Sequence, residues 1–252
     1  MPLRPTDEDA EPLCVSVVVP FFDEADNVER LLVEIDAALK SVTAFEIIAV
    51  DDCSRDTTLL KLQEMQRRLP NLRLVAHAEN LGQSAALCTG ADHARGVWLV
   101  TLDGDGQNDP ADVPDLLSRI GADDPEMDMI CGHRARRMDN WLRRLSSRVA
   151  NQVRAKLLGD ATPDTGCGLK VIRRTTFARL PRFNHMHRFL PALVQRQGGS
   201  VCSVAVSHRP RRHGRSKYGV WNRLWVGIVD LFGVMWLQRR AFKAKIRSLE
   251  QA

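Results

Sequence analysis

The chain has 252 residues, 44% of them hydrophobic and 27% charged, which suits one large globular domain with a real core and excludes disordered and collagen-like classes. Its formal net charge of +5 is the remainder of a split: residues 1–132 carry 10 Lys+Arg against 26 Asp+Glu, a balance of −16, and residues 133–252 carry 26 against 5, a balance of +21. The basic half is therefore expected to face something anionic: nucleic acid, a phosphorylated substrate or a membrane surface.

In chain order, Val15–Val19 reads as a buried strand, followed by a helix whose apolar stripe is Val28, Leu31, Leu32, Ile35 and Leu39. Phe45–Val50 is a second strand, Thr57–Leu69 a helix stopped at Pro70, Leu72–Ala76 a third strand and Gln83–Ala94 a helix closed by Gly96. Val97–Leu102 is a fourth strand, Pro110–Ile120 a helix opened by its proline, and Met127–Cys131 a fifth strand. This alternation predicts an α/β fold with a Rossmann-like, doubly wound, mostly parallel sheet. Ligands of such sheets gather outside the carboxyl ends of the strands, where Phe21–Glu24, Asp51–Asp56, Asp103–Asp109 and His133–Arg137 place their polar groups. The second half is less regular. Trp141–Leu158 reads as a basic helix, Asp164–Ile172 as a loop running into a strand, His187–Gln197 as a helix, Val201–His208 as a strand and Arg209–Gly219 as a basic loop.

Six cysteines stand at 14, 53, 88, 131, 167 and 202 with no CxxC pair, so zinc ribbons and thioredoxin-like motifs are unsupported and reduced thiols are expected. Cys14, Cys131 and Cys202 fall in apolar runs, where a thiol acts as a small hydrophobe. Histidines 77, 133, 185, 187, 208 and 213 lack metal-ligand spacing, and surface or core polar roles are expected for them. Met1–Pro12 is acidic and polar, unlike a signal peptide, and no uncharged apolar run reaches the length of a membrane span.

The sharpest chemical signal is Asp103-Gly104-Asp105-Gly106-Gln107-Asn108-Asp109-Pro110, directly after the fourth strand. Two carboxylates one residue apart suit a hard divalent cation that keeps positions open for phosphate oxygens. A calcium EF-hand is excluded because Asn108 and Pro114 occupy the positions where that loop requires Gly and Glu. The second signal is Asp51-Asp52-Cys53-Ser54-Arg55-Asp56, whose acids can accept from a base N–H or a ribose hydroxyl. Within it, Asp56 or Ser54 is expected to cap the following helix.

Val19-Pro20-Phe21-Phe22-Asp23-Glu24, Asp51–Ser54, Asn80-Leu81-Gly82 and Asp103–Gln107, in this order and spacing, resemble the family 2 inverting glycosyltransferases. Gly132-His133-Arg134, the run Asp164-Thr165-Gly166-Cys167-Gly168-Leu169-Lys170 and Arg211-x-x-Gly214-x-Ser216-Lys217-Tyr218 are similar to the dolichol-phosphate mannose synthases and bacterial polyprenyl-phosphate relatives. The likeness spans about residues 14–219, with Phe22-Asp23 in place of Tyr-Asn and Gly166–Lys170 in place of a Ser-Gly-Phe-Arg run. It implies that Pro20, Phe22, Glu24, Asp51, Asp52, Asn80 and Gly82 bind the nucleotide sugar, and that Asp103, Asp105 and Gln107 hold Mg²⁺ or Mn²⁺ against the donor diphosphate. Arg134, Arg143 and Ser147 would meet the acceptor phosphate, and Arg211, Ser216 and Lys217 would close over the diphosphate. Asp105, Asp164, Arg211 and Lys217 form the implied catalytic set. Asp164 is expected to position the acceptor or a basic partner rather than act as a base, because a lipid phosphate is already anionic.

From Trp221 a helical stripe runs through Leu224, Trp225, Ile228, Leu231, Phe232 and Met235, interrupted by Asp230 and flanked by Arg223, Arg239, Arg240, Lys243 and Lys245. This reads as an interfacial amphipathic helix on anionic lipid, although apolar residues almost all round, with Val226, Val229, Val234 and Leu237, would also suit a helix packed against protein. The expected organisation is a catalytic domain over 1–219 and an interfacial helical segment over 220–252. The expected reaction is metal-dependent transfer of one sugar from a nucleoside diphosphate to an undecaprenyl or dolichyl phosphate at the cytoplasmic face of the membrane. A homo-oligomer or a membrane-subunit partner would fit this setting, and nucleic acid is not an expected partner. Two alternatives remain at this point: a transferase acting on a glycan or protein hydroxyl with Asp164 as base, and a nucleic-acid-binding module.

Overall fold

A computed structural model of the chain describes residues 14–120, 127–134, 154–155, 157–160, 162–210 and 220–240, with the backbone alone over 220–226. The first half alternates β1 (Val15–Phe21), α1 (Ala25–Leu39), β2 (Phe45–Asp51), α2 (Thr58–Arg68), β3 (Leu72–Ala76), α3 (Gln83–His93) and β4 (Trp98–Thr101). β1 pairs in parallel with β2 and β4, and β2 with β3. The apolar runs are buried on both faces, as helices covering a parallel sheet require. Val15, Val17, Val19 and Phe21 of β1 pack with the α1 stripe Val28, Leu31, Leu32, Ile35 and Leu39, every member of which is buried. Val18, Ile48 and Val50 face α3 instead. Gly90 lies in α3 where a Cβ would overlap the Val18 side chain, so the helix seats against β1 only without one.

Pro110–Ile120, read from sequence as one helix, is a 3-10 turn (Pro110–Asp112) followed by α4 (Val113–Ser118). Pro114 has no N–H to continue a bond back to the preceding turn, so the helix restarts there. The Asp109 side chain caps the turn by accepting from the Ala111 N–H at 3.0 Å.

The second half completes one seven-stranded sheet in the order β3-β2-β1-β4-β6-β5-β7, with β5 Met127–Arg134, β6 Lys170–Arg173 and β7 Ser200–Val206. β6 runs antiparallel between β4 and β5, while β7 joins β5 in parallel. β5 is longer than its apolar run because β7 pairs with its polar end, His133 opposite Ala205 and Arg134 opposite Val206. The expected helix over His187–Gln197 is a 3-10 turn (Met186–Arg188) and a helix over Leu190–Arg196. The basic segment Trp141–Leu158 lies mostly outside the described residues. All six thiols are free, with Cys88, Cys131 and Cys167 buried, whereas Cys14, despite its apolar run, is exposed.

A final helix, Val220–Arg239, packs Val234, Leu231 and Met235 onto the α3 side of the core. It is tied down where Arg196 donates to the Leu237 carbonyl and Gln238 to that of Leu158. The apolar stripe read from sequence is thus divided. Leu231 and Met235 turn inward, while Phe232 of the same stripe, like Val229 and Trp236 outside it, is more than half exposed. Asp230, the break in the stripe, sits 3.1 Å from His185 Nδ1. No described helix is long and apolar enough to cross a membrane.

Candidate active site

The loops after β1 and β2 are built from short polar residues that bond to one another's backbones. The Asp23 N–H donates to Ser54 Oγ, the Arg55 N–H to Asp23 Oδ1, and the Glu24 N–H to Thr58 Oγ1. Asp56 accepts from the Thr58 N–H at 2.9 Å, the expected cap of α2, and also from the Ala25 N–H at the start of α1. Asp23 and Cys53 take left-handed backbone conformations (φ 48° and 60°), a cost met by this mutual bonding. The loops bring Phe22, Glu24, Asp51 and Asp52 to one edge of the sheet. The Arg55 guanidinium stands 5.8 Å from the centre of the Phe22 ring.

The two acids of this edge differ. Asp52 is buried, and its carboxylate accepts from the Leu81 and Gly82 N–H groups, from Asn80 Nδ2, and lies 2.7 Å from His77 Nδ1. It organises the loop carrying Asn80 and Gly82, and Gly82 takes φ 88°, a conformation that glycine adopts readily. Asp51 is 1% exposed; its Oδ2 accepts from the Ser54 N–H, but its buried Oδ1 has no hydrogen-bond partner among the described residues. A buried acceptor without a donor is destabilising until a ligand supplies one.

Across the sheet, Asp103 and Asp105 follow β4. Asp105 Oδ1 accepts from the Gln107 N–H, which folds the loop back on itself. Gly104 has no room for a Cβ, which would strike the Pro20 carbonyl, and Gly106 takes φ 69°, a conformation that favours glycine. Arg209 pins the loop to the end of β7. Its N–H donates to the Gln107 carbonyl, and its guanidinium reaches Asp109 and Glu34. Asp103 Oδ1 accepts from Gln83 Nε2 at 2.7 Å. Its carboxyl pKa is pushed up to about 6, first by burial and then by the charge of Asp105, with Lys170 and Arg134 opposing. Among the described residues no set of three or more His, Cys, Asp or Glu could hold a metal. Two carboxylates with excess negative charge nevertheless fit a hard divalent cation that takes its other oxygens from a substrate diphosphate.

Beside Asp103 opens a cavity of about 310 Å³, lined in part by Gln83, Thr101, Arg134, Lys170, His187 and Arg188. Arg134 is held by Asp164 in a two-pronged ion pair, Nε to Oδ2 at 2.7 Å and the terminal nitrogen to Oδ1 at 2.9 Å. Burial lowers the Arg134 pKa, but the bonds and charge of Asp164 outweigh it and the net shift is upward. Gly168 lies where a Cβ would overlap the Asp103 carboxylate. Lys170, 4% exposed in mid-sheet, donates its ammonium to the Cys167 carbonyl. The His187 pKa falls to about 3, through burial first and then the charges of Lys170 and Arg188, so the ring is neutral near pH 7. Its Nδ1 lies 2.7 Å from Ser84 Oγ.

Of the residues singled out in the sequence, the structure gathers Pro20, Phe22, Glu24, Asp51, Asp52, Asn80 and Gly82 on one side of β4, with Asp103, Asp105 and Gln107 after it and Arg134 and Asp164 on the other side. Arg143, Ser147, Arg211, Ser216 and Lys217 lie outside the described residues. Gln83, Lys170, His187 and Arg188 line the cavity although none of them is assigned a site role from sequence. Lys170 carried a signal, since a charge inside the run Leu169–Ile172 must find a partner.

A sequence profile described as glycosyl transferase family 2 matches residues 16–180. Dodecaprenyl-phosphate galacturonate synthase of Rhizobium johnstonii is 37% identical over 249 residues, covering 97% of this chain and 72% of that protein. Undecaprenyl-phosphate 4-deoxy-4-formamido-L-arabinose transferase of Edwardsiella ictaluri is 34% identical over 82% of this chain and 63% of its own length, and that of Pseudomonas aeruginosa 35% over 83% and 62%. The chain thus spans less than two thirds of those two transferases. Among solved structures, a mannosyltransferase from Pyrobaculum calidifontis in complex with GDP-Man and Mn²⁺ superposes with a TM-score of 0.69 at 24% identity, over 94% of this chain and 68% of that one. Glucosyl-3-phosphoglycerate synthase from Mycobacterium tuberculosis, in complex with Mn²⁺, UDP and phosphoglyceric acid, does so at 0.66 and 18%, over 92% and 80%. The structural likenesses show the fold, and the profile with the sequence relatives shows the family: the chain belongs to glycosyl transferase family 2.

Proposed function

We propose that the chain transfers one sugar, with inversion, from a nucleoside diphosphate to a polyprenyl phosphate, assisted by a divalent cation at Asp103 and Asp105. The observation that carries this reading is the junction at the end of β4, where a carboxylate pair adjoins a cavity walled by Arg134, Lys170 and Arg188. The polyprenyl-phosphate acceptors named for the relatives from Rhizobium and Edwardsiella support it.

Asp51 Oδ1 would accept from the base or ribose of the donor, beside Pro20, Phe22 and Glu24. Asp52 would act through the Asn80–Gly82 loop that it holds. The bound cation, Mg²⁺ or Mn²⁺, would neutralise charge growing on the departing diphosphate, with Gln107 beside it. A phosphate oxygen of the lipid forms the new bond to the anomeric carbon as the bond to the diphosphate breaks on the opposite face. That oxygen is already anionic, so no base is needed. Asp164, with both oxygens taken by Arg134, would aim Arg134 at the acceptor phosphate. Arg143 and Ser147 are assigned to the same phosphate, and Arg211, Ser216 and Lys217 to the diphosphate.

The exposed Val229, Phe232 and Trp236, with Arg240 5.9 Å from the Trp236 ring centre, support contact of the final helix with an anionic membrane surface. The test offers labelled nucleotide sugars with Mn²⁺ to undecaprenyl phosphate and, separately, to neutral glycans. Label in the lipid fraction is expected; label in the glycans alone would refute the acceptor.

A further inference from the structure

Lys170 poses a problem of charge. Its side chain is 4% exposed and sits mid-sheet, paired in register with Thr101 on one side and Cys131 on the other. Its described hydrogen-bond acceptor is a neutral carbonyl, that of Cys167. The carboxylate whose charge it feels is Asp103, which lies in the metal-binding pair. The neighbouring carboxylate Asp164 is committed to Arg134, and His187 across the cavity is neutral. Once a cation and a diphosphate engage Asp103, the cavity keeps a buried ammonium with no carboxylate of its own. An unpaired buried charge is strongly destabilising, so this site favours a ligand that brings an anion to it.

Two groups of the reaction are candidates, the acceptor phosphate and the sugar. The acceptor's polyprenyl chain must lead outward, which keeps its phosphate at the cavity mouth. Lys170, on β6 between β4 and β5, is buried, whereas Arg134 and Arg188 of the same cavity are partly exposed. A group on the sugar ring remote from the anomeric carbon would lie deeper than that phosphate, within reach of Lys170. The relative from Rhizobium named for galacturonate transfer shows that an acidic sugar occurs within this family.

We infer that the donor is a nucleoside diphosphate hexuronate, and that Lys170 is the specificity-determining residue that pairs with the sugar carboxylate. This rests on the donor half of the function proposed above and is independent of the acceptor.

The test measures binding to the full chain by calorimetry, with Mn²⁺ and no acceptor. UDP-galacturonate, UDP-glucuronate and GDP-mannuronate are each compared with the matching neutral hexose, UDP-galactose, UDP-glucose and GDP-mannose. One hexuronate is expected to bind about 100-fold tighter than its neutral partner, the scale of a buried charge pair. Lys170→Met should collapse that ratio toward unity, and Lys170→Arg should retain most of it. Equal or tighter binding of every neutral sugar overturns the proposal, and the wild-type comparison decides this even if the methionine variant fails to fold. A Lys170→Met variant that weakens acidic and neutral donors alike, or raises only the KM for undecaprenyl phosphate, also overturns it. Preferential hexuronate binding with transfer to neutral glycans would leave this inference standing and remove the lipid acceptor. If no nucleotide sugar binds, both readings fall.

Discussion

At the ends of β1 and β2 the acids are answered by backbone: Asp52 by the N–H groups of Leu81 and Gly82, Asp56 by those of Ala25 and Thr58. Beyond β4 charge is answered by side chains, with Arg134 on Asp164 and Arg209 on Asp109 and Glu34. The first region is a preformed mould in which shape is fixed by hydrogen bonds and one acceptor, Asp51 Oδ1, waits. The second is an electrostatic balance with Lys170 in surplus once Asp103 is engaged. In the proposed function the first region would receive the nucleotide and the second the reacting phosphates, whose charge changes during the reaction and calls for compensating ions.

The comparison breaks most sharply at the metal pair. Asp105→Ala should lower transfer by about 10³-fold or more while leaving the circular dichroism spectrum unchanged, because it removes one of the two proposed cation ligands without touching the core. Full turnover of this variant with added Mg²⁺ would sink the assignment. Next is the fork. Asp164→Ala strands a partly buried Arg134 and should cost up to about 3 kcal/mol in urea unfolding. The double variant Arg134→Met/Asp164→Leu should regain most of that stability and none of the turnover, separating the fold's need for balance from the reaction's need for a cation. Gly168→Ala pushes on the Asp103 carboxylate. A loss of about 10²-fold in kcat with little change in unfolding is expected from such a displacement.

A smaller effect sharpens the comparison at the far end of the sheet. Burial raises the pKa of Glu46, but bonds from Arg73, Ser16 and the Arg95 N–H outweigh it and hold the carboxyl below the ordinary carboxylate value. Its contribution is therefore present near neutral pH and lost as pH falls through the carboxylate range. Glu46→Gln should flatten the acid limb of Tm against pH; an unchanged slope would refute the linkage. Smallest of all, Phe232→Ser and Trp236→Ser should alter stability by no more than about 0.5 kcal/mol, since both side chains are largely exposed. The same pair should lower sedimentation with phosphatidylglycerol vesicles, and undiminished binding would deny that face a lipid role.

The first four strands were legible because long apolar runs and a five-residue stripe leave few alternatives. The end of β5 was not, since His133 and Arg134 read as loop and only pairing with β7 makes them strand. β6 has four residues, and its antiparallel insertion depends on contacts far away in sequence. The aspartates announced themselves by clustering after strands. Lys170 stands in the sequence only as the end of a motif run and His187 reads as a surface or core polar residue, because the sequence does not show that both line one cavity. Asp230 broke the final stripe for a reason found on another segment, His185.

The place of β6 also bears on how the polypeptide is made. β4 acquires its second neighbour only from residues 170–173, so the nascent parallel half leaves the ribosome with a raw edge at β4, beside the Asp103–Asp109 loop. For about the length of β5 and everything up to residue 170, that edge is open to pairing with another chain. Synthesis stalled before residue 170 would yield a fragment with the four paired strands β1–β4, the Asp51–Asp52 loops complete, and an adhesive flank. Expression of such a fragment should report the hazard directly, as aggregates that the full chain avoids.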